Sequence, residues 1–354
     1  MPDVVVAGAG MAGLAAAARA RELGAEVDLF EKGTRAGGSM LLSSGVVWRH
    51  RDLDDFRADC PGGDPALQRA LVERLDADLL WVEGLGARVV VRGTGNPRTT
   101  GVRFDTESLA AAMIEAAGGR VRLGEPVREI PDGCPVVLAT GGFPADRDLL
   151  REHVSPEADH LMLRAAPWNS GDGLRLGLAA SGERSAGMDE VYGRNMPAPP
   201  ARVEERDFVP AAQLYARHAV VTNERGERYE ARTWSEIDVV QWTARQPRAR
   251  AWFRVEGAAL AERVRDRTVG EMVDAAEAAG APVDRTGDAV TVETVAGITS
   301  TLGGLRIDEH ARVADGVFAA GGDVGGIATG GYASGLAAAL VFGKIAAESA
   351  LGVG

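Results

Sequence analysis

The chain has 354 residues, 45% of them hydrophobic and 25% charged, a composition that is ordinary for a globular protein with a large core. Its net charge of −12 and its isoelectric point near 5.0 argue against nucleic acid or an anionic membrane as a partner. The two cysteines, Cys60 and Cys134, are too few for a disulfide framework, and no His/Cys spacing typical of a metal site is present.

Other limits follow from length and hydropathy. The length indicates two domains, or one domain with a large insertion. No apolar run reaches membrane-spanning length. The first predicted strand begins at Asp3, which leaves no room for a signal peptide, so we expect a cytoplasmic protein.

The N-terminal segment has the pattern of a nucleotide-binding βαβ unit. A strand over residues 4–6 breaks at Gly8-Ala9-Gly10-Met11-Ala12-Gly13, which is G-x-G-x-x-G. An alanine-rich helix to Leu23 and a second strand over residues 26–30 follow, and this strand leads to Glu31. The complete pattern predicts a dinucleotide site, and the alternative is a glycine-rich turn that holds no nucleotide.

Each element of this unit suits a particular physical task. Gly8 suits the tight turn, Gly10 lets the backbone approach a pyrophosphate, and Gly13 lets helix and strand pack closely. The helix N-terminus offers free N–H groups and the positive end of its dipole to phosphates. Glu31 can accept hydrogen bonds from the hydroxyls of a ribose.

The next segment combines a glycine-rich turn with two helical patterns. Small residues dominate 33–45, which indicates backbone close to a ligand, with an ordinary surface loop as the alternative. Apolar spacing predicts helices over 64–85 and 106–117, the second with Thr106 as its N-cap. We expect a strand over 88–92 and a loop over 93–101.

A parallel-sheet pattern then resumes. Strands are predicted over 120–123 and 135–140, the second ending in Gly141-Gly142-Phe143. Open α/β sheets hold ligands where such strands end on glycines. The turn beginning at Asn169 opens a helix to Ala180 and places Asp172 near a further helix N-terminus.

Between about 188 and 295 the composition changes to a proline- and aromatic-rich character. Strands are expected around Val220 and Tyr229, helices over 235–244 and 269–279, and a solvated arginine-rich helix face over 245–267. The aromatic residues are either an apolar substrate lid or the domain's own core; they are Trp234, Trp242, Trp252, Tyr192, Tyr215 and Tyr229. We predict an inserted α+β cap domain over 188–295.

The C-terminal segment returns to the first domain. Residues 299–308 indicate a hairpin, and 316–323 a buried strand that ends in glycines and Asp323. An apolar helix over 334–350 starts just after Tyr332. We therefore predict an α/β fold with a discontinuous, doubly wound, Rossmann-like domain over 1–187 and 296–354.

These motifs together resemble flavoproteins of the fumarate reductase/succinate dehydrogenase superfamily, which includes 3-ketosteroid Δ1-dehydrogenases. The resemblance covers most of the chain outside 190–290 and lies in GAGMAGLAAA, GGSMLLSSGVVW, VVLATGGF, NSGDGLRLGLAASG, TSTLGGLRIDEHARV, GVFAAGGDVGG and FGKIAAESA. It implies a glutathione-reductase-like FAD-binding domain and FAD as the cofactor. Because Ser39-Met40 occupies the neighbourhood of the flavin-linking His, it implies non-covalent FAD.

The resemblance also implies roles for individual residues. The ADP half of FAD would meet Gly8, Gly10, Ala12, Gly13, Glu31 and Lys32, with Val127, Thr140, Gly141 and Asp172 on the adenosine side. The pyrophosphate and the flavin would meet Gly38, Ser39, Ser43, Ser44 and Gly45. Asp323, after Gly322, would bond the ribitol, and Gly335 and Leu336 would face the pyrimidine oxygen of the flavin.

Departures from the superfamily pattern bear on the substrate. The segment GGIATGGYASG lacks the His and the Arg found there in fumarate reductases, and TSTLGG lacks the preceding His. A dicarboxylate needs cationic groups around it when buried, so fumarate and succinate are disfavoured. The steroid dehydrogenases use tyrosines instead, and Tyr332 is our candidate, with packing against the last helix as its alternative role.

We therefore expect dehydrogenation of an apolar ketone, such as a cyclic or steroid-like one, at the C–C bond next to its carbonyl. Thr301 and His218 are further catalytic candidates, His218 as an acid or base with a surface or structural role as its alternative. Reduction of an activated alkene and a non-catalytic flavin-binding role are the alternative functions. The electron partner would be quinone-like or a separate redox protein, since no second nucleotide pattern for NAD(P)H is present.

Overall fold

The computed structural model describes residues 1–232 and 236–353. The chain forms two compact units: the first is Met1–Asp146, Ala165–Glu190 and Ser300–Gly354, and the second is Arg147–Arg164 and Val191–Thr299. The predicted domain boundaries, at 187/188 and 295/296, stay a prediction. The units differ from them most in placing residues 147–164 in the second unit.

The strands are β1 Val4–Ala7, β2 Val27–Glu31, β3 Val46–His50, β4 Val89–Arg92, β5 Thr99–Phe104, β6 Arg122–Leu123, β7 Val136–Leu138, β8 Met162–Leu163, β9 Val191–Pro197, β10 Val220–Thr222, β11 Arg250–Glu256, β12 Arg263–Val264, β13 Arg267–Thr268, β14 Val283–Thr286, β15 Ala289–Thr301, β16 Arg312–Ala314 and β17 Val317–Ala319. The helices are α1 Met11–Glu22, α2 Leu53–Asp59, α3 Pro65–Gly84, α4 Thr106–Ala116, α5 Arg147–His153, α6 Asp172–Ala179, α7 Ile237–Ala244, α8 Val269–Ala278 and α9 Gly335–Ala350.

The first unit is built on a sheet whose described strands run in the order β16-β17-β7-β1-β2-β6. β1 pairs in parallel with β2 on one side and with β7 on the other, so Val5 lies opposite both Asp28 and Val136. The chain therefore reverses its direction across the sheet between β1 and β7, which is where doubly wound sheets bind ligands. The predicted Rossmann-like fold is confirmed.

Helices α1 and α9 pack together through small residues. A Cβ at Gly343 of α9 would overlap the carbonyl oxygen of Ala12 in α1. Further along, the buried Lys344 of α9 forms an ion pair with the buried Asp78 of α3 and lies over the ring of Trp81. Gly24, at φ +88, follows the end of α1 as predicted.

The first unit also contains an antiparallel sheet, β3-β5-β4, that the sequence analysis did not predict in full. Residues 99–101 begin β5 rather than continuing the predicted loop, and Gly101 allows close contact with the backbone at Trp48. The N-cap of α4 is Asp105, whose side chain accepts the N–H of Ser108 at 2.9 Å, and not Thr106. Aspartate satisfies an unpaired helix N–H as well as threonine does.

The second unit is organised around β15. This strand pairs with β11, β14, β8 and β9. The predicted hairpin over 299–308 is wrong, because Thr299–Thr301 complete β15 and Leu305 instead bridges to Arg184 and Val324. β15 is a long strand, and seven of its residues pair with β11.

The aromatic residues of the second unit contribute to its core. Tyr215 is fully buried and meets the edge of the Phe253 ring at 5.6 Å, while Tyr229 and Trp242 lie 5.8 Å apart. Helix α7 begins at Ile237; its predicted start, Ser235, lies outside the described residues, as does the aromatic candidate Trp234. These contacts support the interpretation of core packing for Tyr215.

Candidate functional site

The G-x-G-x-x-G loop has the geometry predicted for it. Gly8 has φ +105, and a Cβ at Gly13 would overlap the carbonyl oxygen of Gly8, so both positions need glycine for internal reasons. At Gly10, by contrast, a Cβ would meet no protein atom within 4 Å. Gly10 is also the N-cap of α1 without a side-chain cap. The space beside Gly10 and the first N–H groups of α1 is therefore open to a ligand.

Glu31 is held at the end of β2 by two backbone groups. Its Oε2 accepts the N–H of Ala9 at 2.8 Å and its Oε1 the N–H of Gly33 at 2.6 Å. Each carboxylate oxygen has a second lone pair, so both can also accept a hydroxyl. A cleft lies beside Glu31 in the first unit, lined by Ala7, Gly8, Phe30, Glu31, Lys32, Glu125, Pro126, Val127, Thr140, Trp168 and Asp172.

Several predicted adenosine-side residues meet in this cleft. Lys32 donates to Ser170 Oγ at 2.6 Å and to Asp172 Oδ2 at 2.8 Å, which ties β2 to the start of α6. Val127 lines the same cleft, in the segment that follows β6. Sequence reasoning missed Trp168, which adds an aromatic ring to the cleft. Its only signal was an aromatic residue directly before the Asn-Ser-Gly-Asp-Gly turn.

The second glycine turn packs on the first. Gly37 donates its N–H to the carbonyl oxygen of Ala9 at 2.7 Å, and a Cβ at Gly38 would lie 3.1 Å from Cα of Gly10. Ser39 Oγ accepts the backbone N–H of Ala166 at 3.0 Å and the side-chain amide of Asn169 at 3.2 Å. This turn therefore packs against the loop that precedes α1, and the predicted contact of Ser39 with the pyrophosphate and flavin stays a prediction.

The residues that follow this turn are held by local bonds. Ser43 Oγ donates to the carbonyl oxygen of Met40 at 2.8 Å and accepts the N–H of Gly45 at 3.1 Å. Ser44 uses its carbonyl oxygen to accept from Arg103. A Cβ at Gly45 would overlap the carbonyl oxygen of Phe104, so this glycine has a packing role. Their predicted contacts with flavin stay predictions.

Asp323, which the resemblance places at the ribitol, is held by hydrogen bonds from the segment that follows β7. Its carboxylate has no exposed surface and accepts the N–H of Thr140, the hydroxyl of Thr140 at 2.9 Å and the N–H of Gly142 at 3.0 Å. Burial raises the pKa of Asp323, and these hydrogen bonds oppose that rise. Asp323 thus joins the ends of β7 and β17, and its predicted bond to the ribitol stays a prediction.

Glycines allow the two strand ends to approach each other. A Cβ at Gly142 would lie 2.5 Å from the carbonyl oxygen of Gly322, and one at Gly322 would lie 2.7 Å from the carbonyl carbon of Gly141. The Thr140 hydroxyl, which also accepts the N–H of Gly173 at 2.9 Å, is engaged within the protein. Of these residues, Thr140 also lines the cleft beside Glu31.

The N-terminus of α9 lies next to Tyr332 in the chain. Ser334 is the N-cap and accepts the N–H of Ala337 at 3.3 Å, while Gly335 is exposed and Leu336 half-buried. The half-buried Tyr332 meets the ring of Trp48 at 5.5 Å in an edge-on arrangement. Trp48 also meets the buried His50 at 5.4 Å. The ring of Tyr332 is thus held by aromatic contacts.

The three catalytic candidates fall in different parts of the molecule. Thr301 and Tyr332 belong to the first unit, and His218 to the second, in a one-turn 3₁₀ helix. The Thr301 hydroxyl is buried and makes no hydrogen bond to any described residue. Among the residues that the structure describes, no group of three His, Cys, Asp or Glu side chains could hold a metal ion.

Comparison with known protein families identifies the family to which this chain belongs. Residues 62–336 match the FAD binding domain family, and residues 6–61 match an NAD(P)-binding Rossmann-like domain. The chain belongs to the FAD binding domain family, and FAD is its cofactor. The open space at Gly10 and the Glu31 carboxylate that lines the cleft fit that cofactor. Non-covalent attachment stays a prediction.

Two curated proteins are similar in sequence to part of this chain. The chain is 25% identical over 240 residues to a vinyl phenol reductase of Lactiplantibacillus plantarum, a match covering 54% of this chain and 48% of that protein. The chain spans about half the length of the curated relatives that it matches, 48% of each.

Two solved structures share the fold across the whole chain. An open flavocytochrome c3 fumarate reductase has TM-score 0.74 at 20% identity and covers 99% of this chain and 78% of its own. The 3-ketosteroid Δ1-dehydrogenase of Sterolibacterium denitrificans has TM-score 0.74 at 16% identity and covers 99% of both chains. Separately, none of the described helices is long and apolar enough to cross a membrane.

Proposed function

We propose that this chain is an FAD-dependent oxidoreductase that removes hydrogen from the carbon–carbon bond next to a carbonyl. Its substrate is an apolar ketone, such as a cyclic or steroid-like one, and its electron acceptor is quinone-like. Bound FAD supplies the group that takes or gives a hydride. The chain must then supply a donor for the carbonyl oxygen and a group that moves the second proton.

The observation that carries this proposal is the joining of the Thr301 and Tyr332 segments through Glu190. The Glu190 carboxylate accepts the N–H of Gly330, two residues before Tyr332, and its carbonyl oxygen accepts the N–H of Leu302, next to Thr301. The backbone segments that precede Tyr332 and follow Thr301 are thereby joined within the first unit. A phenol titrates near pH 10 in water, so Tyr332 can donate to a developing enolate while neutral at pH 7.

Roles for the remaining candidates follow. In our proposal the Thr301 hydroxyl, which has no partner among the described residues, receives a polar group of the substrate. His218 is the candidate acid or base for the second proton. The name of the Sterolibacterium relative supports a ketone substrate, since its structure was solved in complex with 1,4-androstadiene-3,17-dione.

A second candidate is reduction of an activated alkene with electrons from a separate redox protein. The name vinyl phenol reductase favours it. The two reactions are separated by anaerobic mixing while flavin absorbance is followed. Bleaching of oxidised flavin by a cyclic ketone supports the dehydrogenase, whereas reoxidation of dithionite-reduced flavin by a vinyl phenol or an enone supports the reductase. Failure of both, with oxygen and quinones also inert, would leave a non-catalytic flavin-binding protein.

A further inference from the structure

A row of aromatic rings extends from helix α2 to Tyr332 within the first unit. The fully buried imidazole of His50 stacks on the buried ring of Phe56, with ring centroids 4.6 Å apart. Trp48 lies two residues before His50 in β3, so both side chains are on the same face of the strand, and the two rings meet at 5.4 Å. Trp48 in turn meets the ring of Tyr332 edge-on at 5.5 Å. His50 is therefore joined to Tyr332 through one intervening ring.

Asp59 fixes the orientation of the His50 ring. Its Oδ2 lies 3.1 Å from Nε2 of His50, and its Oδ1 accepts from Nη2 of Arg98 at 2.8 Å. Because a carboxylate only accepts, this partner places the ring proton on Nε2 and leaves a lone pair on Nδ1, which has no partner among the described residues. Burial lowers the pKa of His50, and Asp59 opposes that change, so the ring is neutral at pH 7.

The residues at the end of α2 also fix the backbone of the Tyr332 segment. A Cβ at Gly331 would overlap the carbonyl oxygen of Asp59, so glycine allows this close approach. The backbone of Tyr332 itself hydrogen-bonds the sulfur of Cys60. Asp59 therefore contacts the Tyr332 segment with its main chain, while its side chain holds His50.

A fixed backbone does not by itself fix the phenol of Tyr332. Two side-chain torsions still choose among several rotamers, and packing of the ring selects one of them. Trp48 supplies such a contact, and Trp48 is itself in contact with the His50 ring. The phenol oxygen lies at the far end of the side chain, so a small rotation displaces it more than any ring carbon. Errors of about 1 Å in position are costly to catalysis.

We propose that His50 is a positioning residue for Tyr332: Asp59 holds the imidazole, the imidazole holds Trp48, and Trp48 orients the phenol. The proposal rests on the proposed function and deepens it, because it names the residues that fix the direction of the Tyr332 hydroxyl. His50 thereby has a different role from His218, since it acts through ring contacts and exchanges no proton with the substrate.

The test places a reporter on the phenol itself. The chain has four tyrosines, so full-length, FAD-loaded protein labelled with 3-fluorotyrosine gives four fluorine NMR signals, and the one absent from Tyr332→Phe belongs to Tyr332. We expect His50→Leu to shift or broaden that signal and to lower turnover by roughly tenfold, with FAD content unchanged. Trp48→Leu should displace the same signal. The control His310→Leu makes the same change in an exposed turn and should alter neither readout.

Further variants separate positioning from general damage. Asp59→Asn keeps an acceptor oxygen for the Nε2–H of His50 and should retain the parent signal and most of the turnover. Asp59→Leu removes that acceptor and should displace the signal as His50→Leu does. In a double-mutant cycle, His50→Leu should cost little further turnover once Tyr332→Phe has removed the hydroxyl.

Several results would overturn the proposal: an unmoved Tyr332 signal in His50→Leu or Trp48→Leu, an equal effect of His310→Leu, equal effects of the two Asp59 variants, or full additivity in the cycle. Circular dichroism establishes that the variants are folded. If His50→Leu does not fold, His50→Gln keeps an N–H for Asp59 but loses the ring, and should still displace the signal. Because the fluorine signal needs no substrate, failure here is distinguishable from failure of the proposed oxidation, which flavin absorbance reports.

Discussion

Glu190 and Gly330 are joined by two hydrogen bonds, since both carboxylate oxygens of Glu190 accept the N–H of Gly330, at 3.1 and 2.9 Å. Gly330 has φ +84, a left-handed backbone conformation that favours glycine. The same Glu190 accepts the N–H of Leu302 through its backbone at 3.0 Å. One residue thus fixes the segments before Tyr332 and after Thr301.

Replacing Glu190 should therefore displace Tyr332. We expect Glu190→Ala to lower turnover by roughly tenfold, because small errors in position are costly to catalysis, with FAD content unchanged. Glu190→Gln keeps an acceptor oxygen for Gly330 and should retain most of the activity. A double-mutant cycle with Tyr332→Phe separates positioning from general damage. Loss that is fully additive in the double variant would contradict a positioning role.

Tyr332→Phe keeps the ring against Trp48 and removes only the hydroxyl. If the hydroxyl donates to the substrate carbonyl, turnover should fall by roughly 10²-fold, in the range for losing one oxyanion donor. The measurement is steady-state turnover normalised to bound FAD. Tyr215→Phe is the matched control, since that hydroxyl is buried without a described partner and should be dispensable. Activity within about twofold of the parent would leave Tyr332 with a packing role.

Gly10→Val should remove the space that the pyrophosphate needs. A Cβ there meets no protein atom within 4 Å, so the folded chain itself should tolerate it. We expect FAD affinity to fall by at least about tenfold, or ~1.4 kcal/mol. Flavin absorbance per protein after gel filtration measures this. Because bound FAD stabilises the folded state, the Tm of the variant at a given FAD concentration should shift from that of FAD-loaded wild type toward that of the wild-type apoprotein.

A matched control distinguishes the Gly10 ligand site from general intolerance of valine. Gly84, at the end of α3, likewise has no protein atom within 4 Å of a Cβ, and Gly84→Val should keep its FAD. Full FAD content in Gly10→Val, or equal loss in both variants, would place the pyrophosphate elsewhere.

The thiol of Cys60 should be unreactive toward thiol reagents in the folded protein. Burial raises the pKa of its thiol to about 12, with Asp59 adding to the rise. At pH 8 only about 10⁻⁴ of this thiol is thiolate, against about a quarter for an unperturbed cysteine. A disulfide reagent should therefore label the half-buried Cys134 and reach Cys60 only in denaturant. Rapid labelling that persists in Cys134→Ser would show that Cys60 is accessible.

The sequence by itself determined the elements whose information is local. The strand, glycine loop, helix and acid of residues 4–31 were all predicted, because a tight turn and a close helix–strand contact each demand glycine at a fixed spacing. Helix α3 was predicted within one residue at each end from the spacing of its leucines and from Asp64. The second glycine turn was likewise recognised from its composition.

Only the tertiary structure decided which groups meet across long sequence separations. The donors to the Asp323 carboxylate include Thr140 and Gly142, which lie about 180 residues away in the chain. The length of β15 depends on its pairing with β11. Backbone preference acts between neighbours in the chain, whereas burial and hydrogen-bond satisfaction depend on partners that folding brings together.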